Sequence, residues 1–533
     1  MEPSPPEDKK RSHIESSEIE PNIAEETLRD SISLYPKIIF YCIGLSSSFL
    51  LSGYDTVIVG TVTAIPRFQQ DFGELFEDRH IIPSVWMSLW SALGFIGSII
   101  GAAAAGPWQD RSGRRWPLAW GSLISAAAIA ILYVSNVPVD INTRRGVFLF
   151  GKIVQGFAIG VVTAVTQTYI SETVPTSLRG PTMALFPTFT QLGQLVGAIA
   201  IYVSSRDTSS KSYLVSLASQ WPFSAVPFAM ALLIPESPAY LVRRDKSAAA
   251  LRSERRLHIS KIDVEEVVEQ LQQSIGLDRA WAQEVTYRDC FRGANARRTL
   301  IVVFSMVIPV LFGLPLLSNA SYYLQVVGMS DQYSLVFLIL GIGLGLLSNG
   351  IGVWMASRIG RRPLTLSSLG VTTVLWLSMG IAGCWNSVVT IWYVPLPAFS
   401  QNQDTNNYRY TAVTLMMIII ICSLGAWPAS YAIAGETSSL RLRAKTQGLG
   451  ILFHNLANII FNLVLPYIYN PDSGNLCAMT GFVYAGFCVI AVAGTRFWVP
   501  EMKGRSVGEI DAMFELRIRT RDFVRTRIKG GFL

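Results

Sequence analysis

The chain has 533 residues, half of them hydrophobic and only 15% charged, with a net charge of +7. Soluble domains carry about 25% charged residues, and a mean hydropathy of +0.37 cannot be hidden in cores without leaving large apolar patches in water. A soluble protein is excluded, and so is a transmembrane barrel, whose roughly ten-residue alternating strands the sequence lacks.

Residues 1–36 are polar, include Lys9, Lys10 and Arg11, and hold no apolar stretch. No cleavable signal peptide is expected, so the first apolar span serves as the membrane signal. Spans long enough for a bilayer helix, about 20 residues, follow near 37–64, 83–107, 117–137, 146–170, 183–204 and 214–234. A charged interruption at 236–298 reads as a linker with amphipathic helices at 248–257 and 263–275. Six further spans lie near 299–324, 334–356, 364–384, 411–434, 447–468 and 477–499.

The expected organisation is a tail at 1–36, a six-helix bundle at 37–235, the linker, a second bundle at 299–499 and a tail at 500–533. This is an all-α polytopic membrane protein with twelve transmembrane helices. If both tails are cytoplasmic, 35 of the 44 Lys and Arg lie on that side and 7 on the other, as the retention of positive loops in the cytosol requires. The six cysteines show no disulfide or metal spacing and read as reduced packing residues.

The halves echo each other. Asp110-Arg-Ser-Gly-Arg-Arg115 after the second span returns as Ser357-Arg-Ile-Gly-Arg-Arg362 after the eighth. Ser171-Glu-Thr, leading to Arg179, returns as Gly435-Glu-Thr, leading to Arg441, and Pro235-Glu-Ser-Pro238 as Pro500-Glu-Met-Lys503. Three paired motifs in order imply a parallel six-helix repeat, in which two halves rock about a midplane site. Gly113 allows a sharp turn. Arg111, Arg114 and Arg115 can then reach Glu172 and Glu236, while Arg358, Arg361 and Arg362 face Glu436 and Glu501. With Asp110 and Arg179 these form the expected cytoplasmic gate, a bistable lock; the alternative is that the charges only fix topology.

On these motifs, with Gly53-Tyr-Asp-Thr56, Leu440-Arg-Leu-Arg-Ala-Lys-Thr446 and Pro500-Glu-Met-Lys-Gly-Arg505, the chain resembles the sugar porters of the major facilitator superfamily, nearest the fungal maltose and α-glucoside permeases. The resemblance runs from Gly53 to about Phe523. It implies a proton-coupled transporter of a sugar or glycoside working by alternating access. The alternatives are a facilitative carrier or exporter of another polar metabolite, or a non-transporting nutrient sensor. The expected partners are a small-molecule substrate, a proton and the lipid bilayer, and the plasma membrane is the expected location. Nucleic acid, an ATPase subunit, cofactor, metal and enzymatic activity are not expected, since no Walker loop, dinucleotide fingerprint or triad spacing is present.

Asp55 sits in the middle of the first span, where an unpaired carboxylate costs about 2.5–3.5 kcal/mol, and Lys152 lies early in the fourth. The resemblance assigns this pair to proton coupling; a structural ion pair is the alternative. It also implies sugar contacts at Gln191, with Gln194 one turn on, and at Asn455. Trp427 and Tyr431 offer an aromatic face for C–H groups. Each of these has a bland reading too, as interhelical glue or interface anchor. The seventh span departs from the family pattern: its glutamines are absent, and Asn319 and Tyr322 stand as the expected replacements, with Pro309 and Pro315 expected to bend or break the helix. The consequence drawn from sequence is a less polar site, suited to a glycoside rather than a small hexose.

Overall fold

The computed structural model describes residues 35–76, 79–206, 212–258, 264–282, 286–384, 405–439, 442–503, 505 and 507–524. Eleven helices among them are long and apolar enough to cross a membrane. In the N-terminal half these are α1 (Pro36–Val62), then, after a short α2 (Pro66–Phe72), α3 (Ser84–Ser112), α4 (Arg115–Val134), α5 (Ile141–Thr173) and α6 (Thr176–Ser205). The sixth span is two pieces, α7 (Ser212–Ala218) and α8 (Trp221–Leu233). Pro222 in the first turn of α8 has no N–H to continue the ladder, so the helix restarts there. Together the two pieces cross as a twelfth helix.

Between α2 and α3 lies a two-stranded antiparallel ribbon, β1 (Glu74–Phe76) and β2 (Arg79–Ile81), in the register Leu75 to His80. Three-residue strands are too short for hydrophobic alternation to announce them, and the sequence reading contains none. Arg145, 1% exposed, ties the ribbon to α5: it donates to the Phe72 carbonyl and pairs with Glu74 at 2.8 Å. Asp140 caps α5 by accepting from the Thr143 N–H at 2.8 Å, and that bond holds its carboxyl below the usual range.

The linker folds as α9 (Pro238–Arg243), α10 (Ser247–Leu257) and α11 (Val264–Ala282) around Ala239, Val242, Ala250, Val268 and Ile275. The seventh span then comes in three pieces, α12 (Gly293–Leu311), α13 (Leu314–Ser318) and α14 (Ala320–Val326). Pro309 stays inside α12, and the break falls at Gly313, whose φ of +108° a side chain disfavours and whose Cβ would meet Trp376 at 2.7 Å. Pro315 begins the next helix, so of the two prolines only this one lies at a break. The chain continues as α15 (Asp331–Ile359), α16 (Arg361–Cys384), α17 (Thr405–Leu424) and α18 (Ala426–Thr437), the last two forming the tenth span bent at Gly425. It ends with α19 (Arg443–Tyr469), α20 (Thr480–Trp498) and α21 (Val507–Glu515).

Within the N-terminal bundle α1 packs on α6 and α3 on α5; the halves meet mainly where α3 lies on α19 and α6 on α15. Small residues let α3 and α5 approach closely, since Cβ atoms at Gly97 or Gly160 would strike the other helix's backbone. The end bearing the Arg-rich motifs, expected to face the cytoplasm, is the inner end, and the ribbon lies at the outer end.

Candidate functional site

Asp55, in the last third of α1, and Lys152, on α5, meet across the first bundle: Nζ donates to Oδ1 at 2.6 Å, with the side chains 12% and 3% exposed. Such a pair holds only if each charge answers the other; removing one leaves an uncompensated buried ion. Both line a cavity of about 230 Å³ between the two halves.

Gln194, Asn319, Trp427, Tyr431 and Asn455 line the same cavity. Three buried polar atoms on its wall make no hydrogen bond among the described residues: the Trp427 Nε1 donor, the Asn319 Oδ1 acceptor and the Ser91 hydroxyl. Orphaned donors and acceptors are costly when dry, so their convergence marks a site that a hydroxyl-bearing ligand would satisfy. Asn319 is fixed for this, its Nδ2 donating to the Pro315 carbonyl at 2.9 Å.

Two residues expected at the site lie elsewhere. Gln191 is 2% exposed and beside a small void off the main cavity. Its Oε1 accepts from Asn349 of α15 at 3.1 Å and its Nε2 donates to Ser423 of α17 at 3.4 Å, so both amide atoms are held by the other half. Tyr322, 1% exposed, belongs to the outer seal: its hydroxyl accepts from the Ile82 N–H and donates to Asn470 Oδ1 at 3.2 Å. The breaks at Gly313 and Asn319 carry α14, and with it Tyr322, above the cavity.

The cavity also contains residues the sequence reading did not place there. Asn458 and Asn462 join Asn455 on one stripe of α19, so the amides missing from the seventh span are supplied by the eleventh. That corrects the expectation of a less polar site. His454 is bonded on both ring nitrogens, Nδ1 to the Met306 carbonyl at 2.8 Å and Nε2 to Asn458 Nδ2 at 3.1 Å, which fits a neutral ring donating from Nδ1. The i, i+3, i+7 spacing of the three asparagines was the available signal; Trp90 and Ser91, also on the wall, had none.

At the inner end each half closes its own network. Arg114 grips Glu172 with two bonds of 2.9 and 2.7 Å, and Glu236 accepts the Arg114 N–H at 2.7 Å. In the second half Arg361 pairs with Glu436 at 2.7 Å, and Glu501 accepts the N–H groups of Arg361 and Arg362. Gly113 and Gly360, with φ of +86° and +111°, turn the chain so that these N–H groups reach the glutamates, and a side chain at either would collide with the carboxylate.

The other arginines differ from expectation. Arg115 and Arg362 give their guanidinium groups to carbonyls at the ends of α8 and α20, where the helix dipole is negative. Arg111 and Arg358 form no ion pair among the described residues, and Arg358 lies over the Trp354 ring. Asp110 offers its carbonyl, not its carboxylate, to Arg244. The side chain of Arg179 and residues 440–441 lie outside the described residues. Among those described, no inner-end hydrogen bond or ion pair crosses between the halves: the networks brace each bundle internally. The crossing bonds lie at the midplane and the outer end, including Gln325 to the Ala64 carbonyl at 2.7 Å and Asn470 to the Ile82 carbonyl at 2.9 Å. The conformation is closed at the end that bears the ribbon.

A family model described as sugar (and other) transporter matches residues 41–514. Among curated proteins, the MFS transporter fmqE of Aspergillus fumigatus is 31% identical, covering 88% of this chain and 84% of its own. The maltose permease MAL61 of Saccharomyces cerevisiae is 27% identical over 94% and 79%. Among solved structures, the partially occluded inward open xylose transporter XylE from E. coli superposes with a TM-score of 0.69 at 19% identity, over 88% of this chain and all of that one. At that identity the likeness speaks for the twelve-helix major facilitator fold.

Proposed function

From the premise that this chain belongs to the sugar (and other) transporter family, we propose that it carries a sugar or glycoside of the maltose or α-glucoside class across the membrane by alternating access, coupled to a proton. The observation behind the substrate class is the cavity wall, where unpartnered Trp427 Nε1, Asn319 Oδ1 and Ser91 Oγ stand with the amides of Gln194, Asn455 and Asn458. A polyol needs that mixture of donors and acceptors beside an aromatic face. The maltose permease relatives support an α-linked glucoside.

Asp55 and Lys152 are the proposed coupling pair. Protonation of Asp55 removes the counter-charge of Lys152, whose ammonium is then buried and alone, so the proton and the position of α1 against α5 are linked. The Arg–Glu networks are the proposed inner gate elements, with both termini cytoplasmic and the plasma membrane as location.

The test is uptake of labelled maltose, other α-glucosides and glucose by transporter-deficient yeast, with and without an uncoupler. Uncoupler-sensitive accumulation of an α-glucoside is expected. Asp55→Asn, a permanent mimic of the protonated acid, should abolish accumulation while exchange across the membrane persists. Uptake that only equilibrates the substrate, ignores the uncoupler and is unchanged in Asp55→Asn would overturn the coupling and leave a facilitative carrier.

A further inference from the structure

We propose that Asp472 caps helix α3 in trans and is thereby a positioning residue for the transport cycle: a carboxylate of the C-terminal half completes the first turn of a helix in the N-terminal half only when the outer side is closed. The first N–H groups of any helix lack partners within it, and a side-chain acceptor at the cap position ordinarily serves one of them. In α3 that position is Pro83, which has no side-chain acceptor. The acceptor comes instead from the loop after α19. The Ser84 N–H donates to Asp472 Oδ2 at 2.7 Å, the Ser84 hydroxyl donates to Oδ1, and Ser473 donates to the Ser84 hydroxyl at 3.2 Å.

No Lys or Arg pairs with Asp472 among the described residues, and the positive end of the α3 dipole is the partner it contacts. The other side-chain bonds that cross the outer end among the described residues, which involve Gln69, Gln325, Asn470, Tyr322 and the Ser84 hydroxyl on the Pro466 carbonyl, are between neutral groups. The Asp472 contact is the charged one. Because its two partners ride on different halves, opening the outer side uncaps α3 and frees the carboxylate together.

The inference rests on the alternating-access reading but not on the substrate or the coupling ion, so it is tested without either. Hydrogen exchange of the purified protein in nanodiscs, read by mass spectrometry, is compared between wild type and Asp472→Ala. Loss of the cap should speed exchange at outer segments near 60–65, 82–90, 320–326 and 466–476. It should slow exchange at inner segments near 109–118 and 356–364, since opening one side closes the other. A cap is worth about 2- to 30-fold in an equilibrium, and about 3- to 10-fold is expected here.

Pro83→Ser keeps Asp472 and gives α3 an acceptor of its own on a backbone (φ −56°, ψ 139°) that a serine cap adopts. It should shift exchange in the same direction, more weakly, because closure then adds little. Faster exchange confined to residues 82–90 in Asp472→Ala, or no shift in Pro83→Ser, would reduce the contact to local structure and overturn the proposal. Gly60→Trp is the control: a side chain there collides with Asn319 at the contact between halves and wedges the outer side open. If it gives the reciprocal pattern and Asp472→Ala does not, the cap alone is wrong; if neither does, alternating access itself fails and the proposal with it.

Discussion

The two inner-end networks descend from the same repeated motif yet are not equally complete. In the first half Glu172 accepts two bonds from Arg114, one from Ser237 at 2.6 Å and one from Arg243 at 3.3 Å. In the second, Glu436 takes Arg361 on one oxygen while its Oε2 and the Arg361 Nε are without partners among the described residues. The arginines are 2% and 22% exposed. One position accounts for much of this: where Pro235-Glu-Ser-Pro238 has Ser237, Pro500-Glu-Met-Lys503 has Met502, which packs with Ile433, Val499 and Ile510 and accepts from Thr437. The repeat keeps the backbone geometry, since both glycines and both backbone-binding glutamates recur, while one half gains a hydrogen bond and the other apolar packing.

The largest expected effect that would break this comparison is Arg114→Ala. It leaves the Glu172 carboxylate with only Ser237 and the half-exposed Arg243, and removal of the buried partner of such a pair costs about 3 kcal/mol, visible as a large fall in the thermal midpoint of the purified protein. Arg361→Ala should cost about 1–2 kcal/mol, because its partner is better hydrated; equal falls in the two variants would show that the networks are equivalent after all. Ser237→Ala, losing a charge-assisted bond to Glu172 and the cap on α9, should cost about 1–2 kcal/mol. The smallest effect is Glu436→Gln, expected within about 1 kcal/mol of wild type since one carboxylate oxygen already lacks a partner. A midpoint drop as large as that of Glu172→Gln in a parallel measurement would contradict the asymmetry.

The same contrast separates what could be read from the chain and what could not. The spans, the motif pairs and the sets of arginines and glutamates at the inner end were legible, because length, charge and repetition are local or internal properties of a sequence; which arginine takes which glutamate was not. The sixth span was legible at 214–234 but its break at Ser219–Gln220 was not, and the three-residue strands fell below any period. At the cavity, Asp55 and Lys152 declared themselves as charges in apolar spans, whereas nothing in the neighbours of Gln191 said that its amide would meet Asn349 of the other half and not the cavity.

The sequence by itself determined that this is a twelve-span membrane protein built as a repeat, with an acid and a base buried in its first half. The reason is that bilayer thickness and the cost of buried charge act on the chain directly. Only the tertiary structure decided that Tyr322 belongs to the outer seal, that Asn462 joins Asn455 on the cavity wall and that Asp472 caps a helix of the opposite half. Helical periodicity fixes which residues share a face of their own helix, but which helix that face meets is set by packing among all twelve.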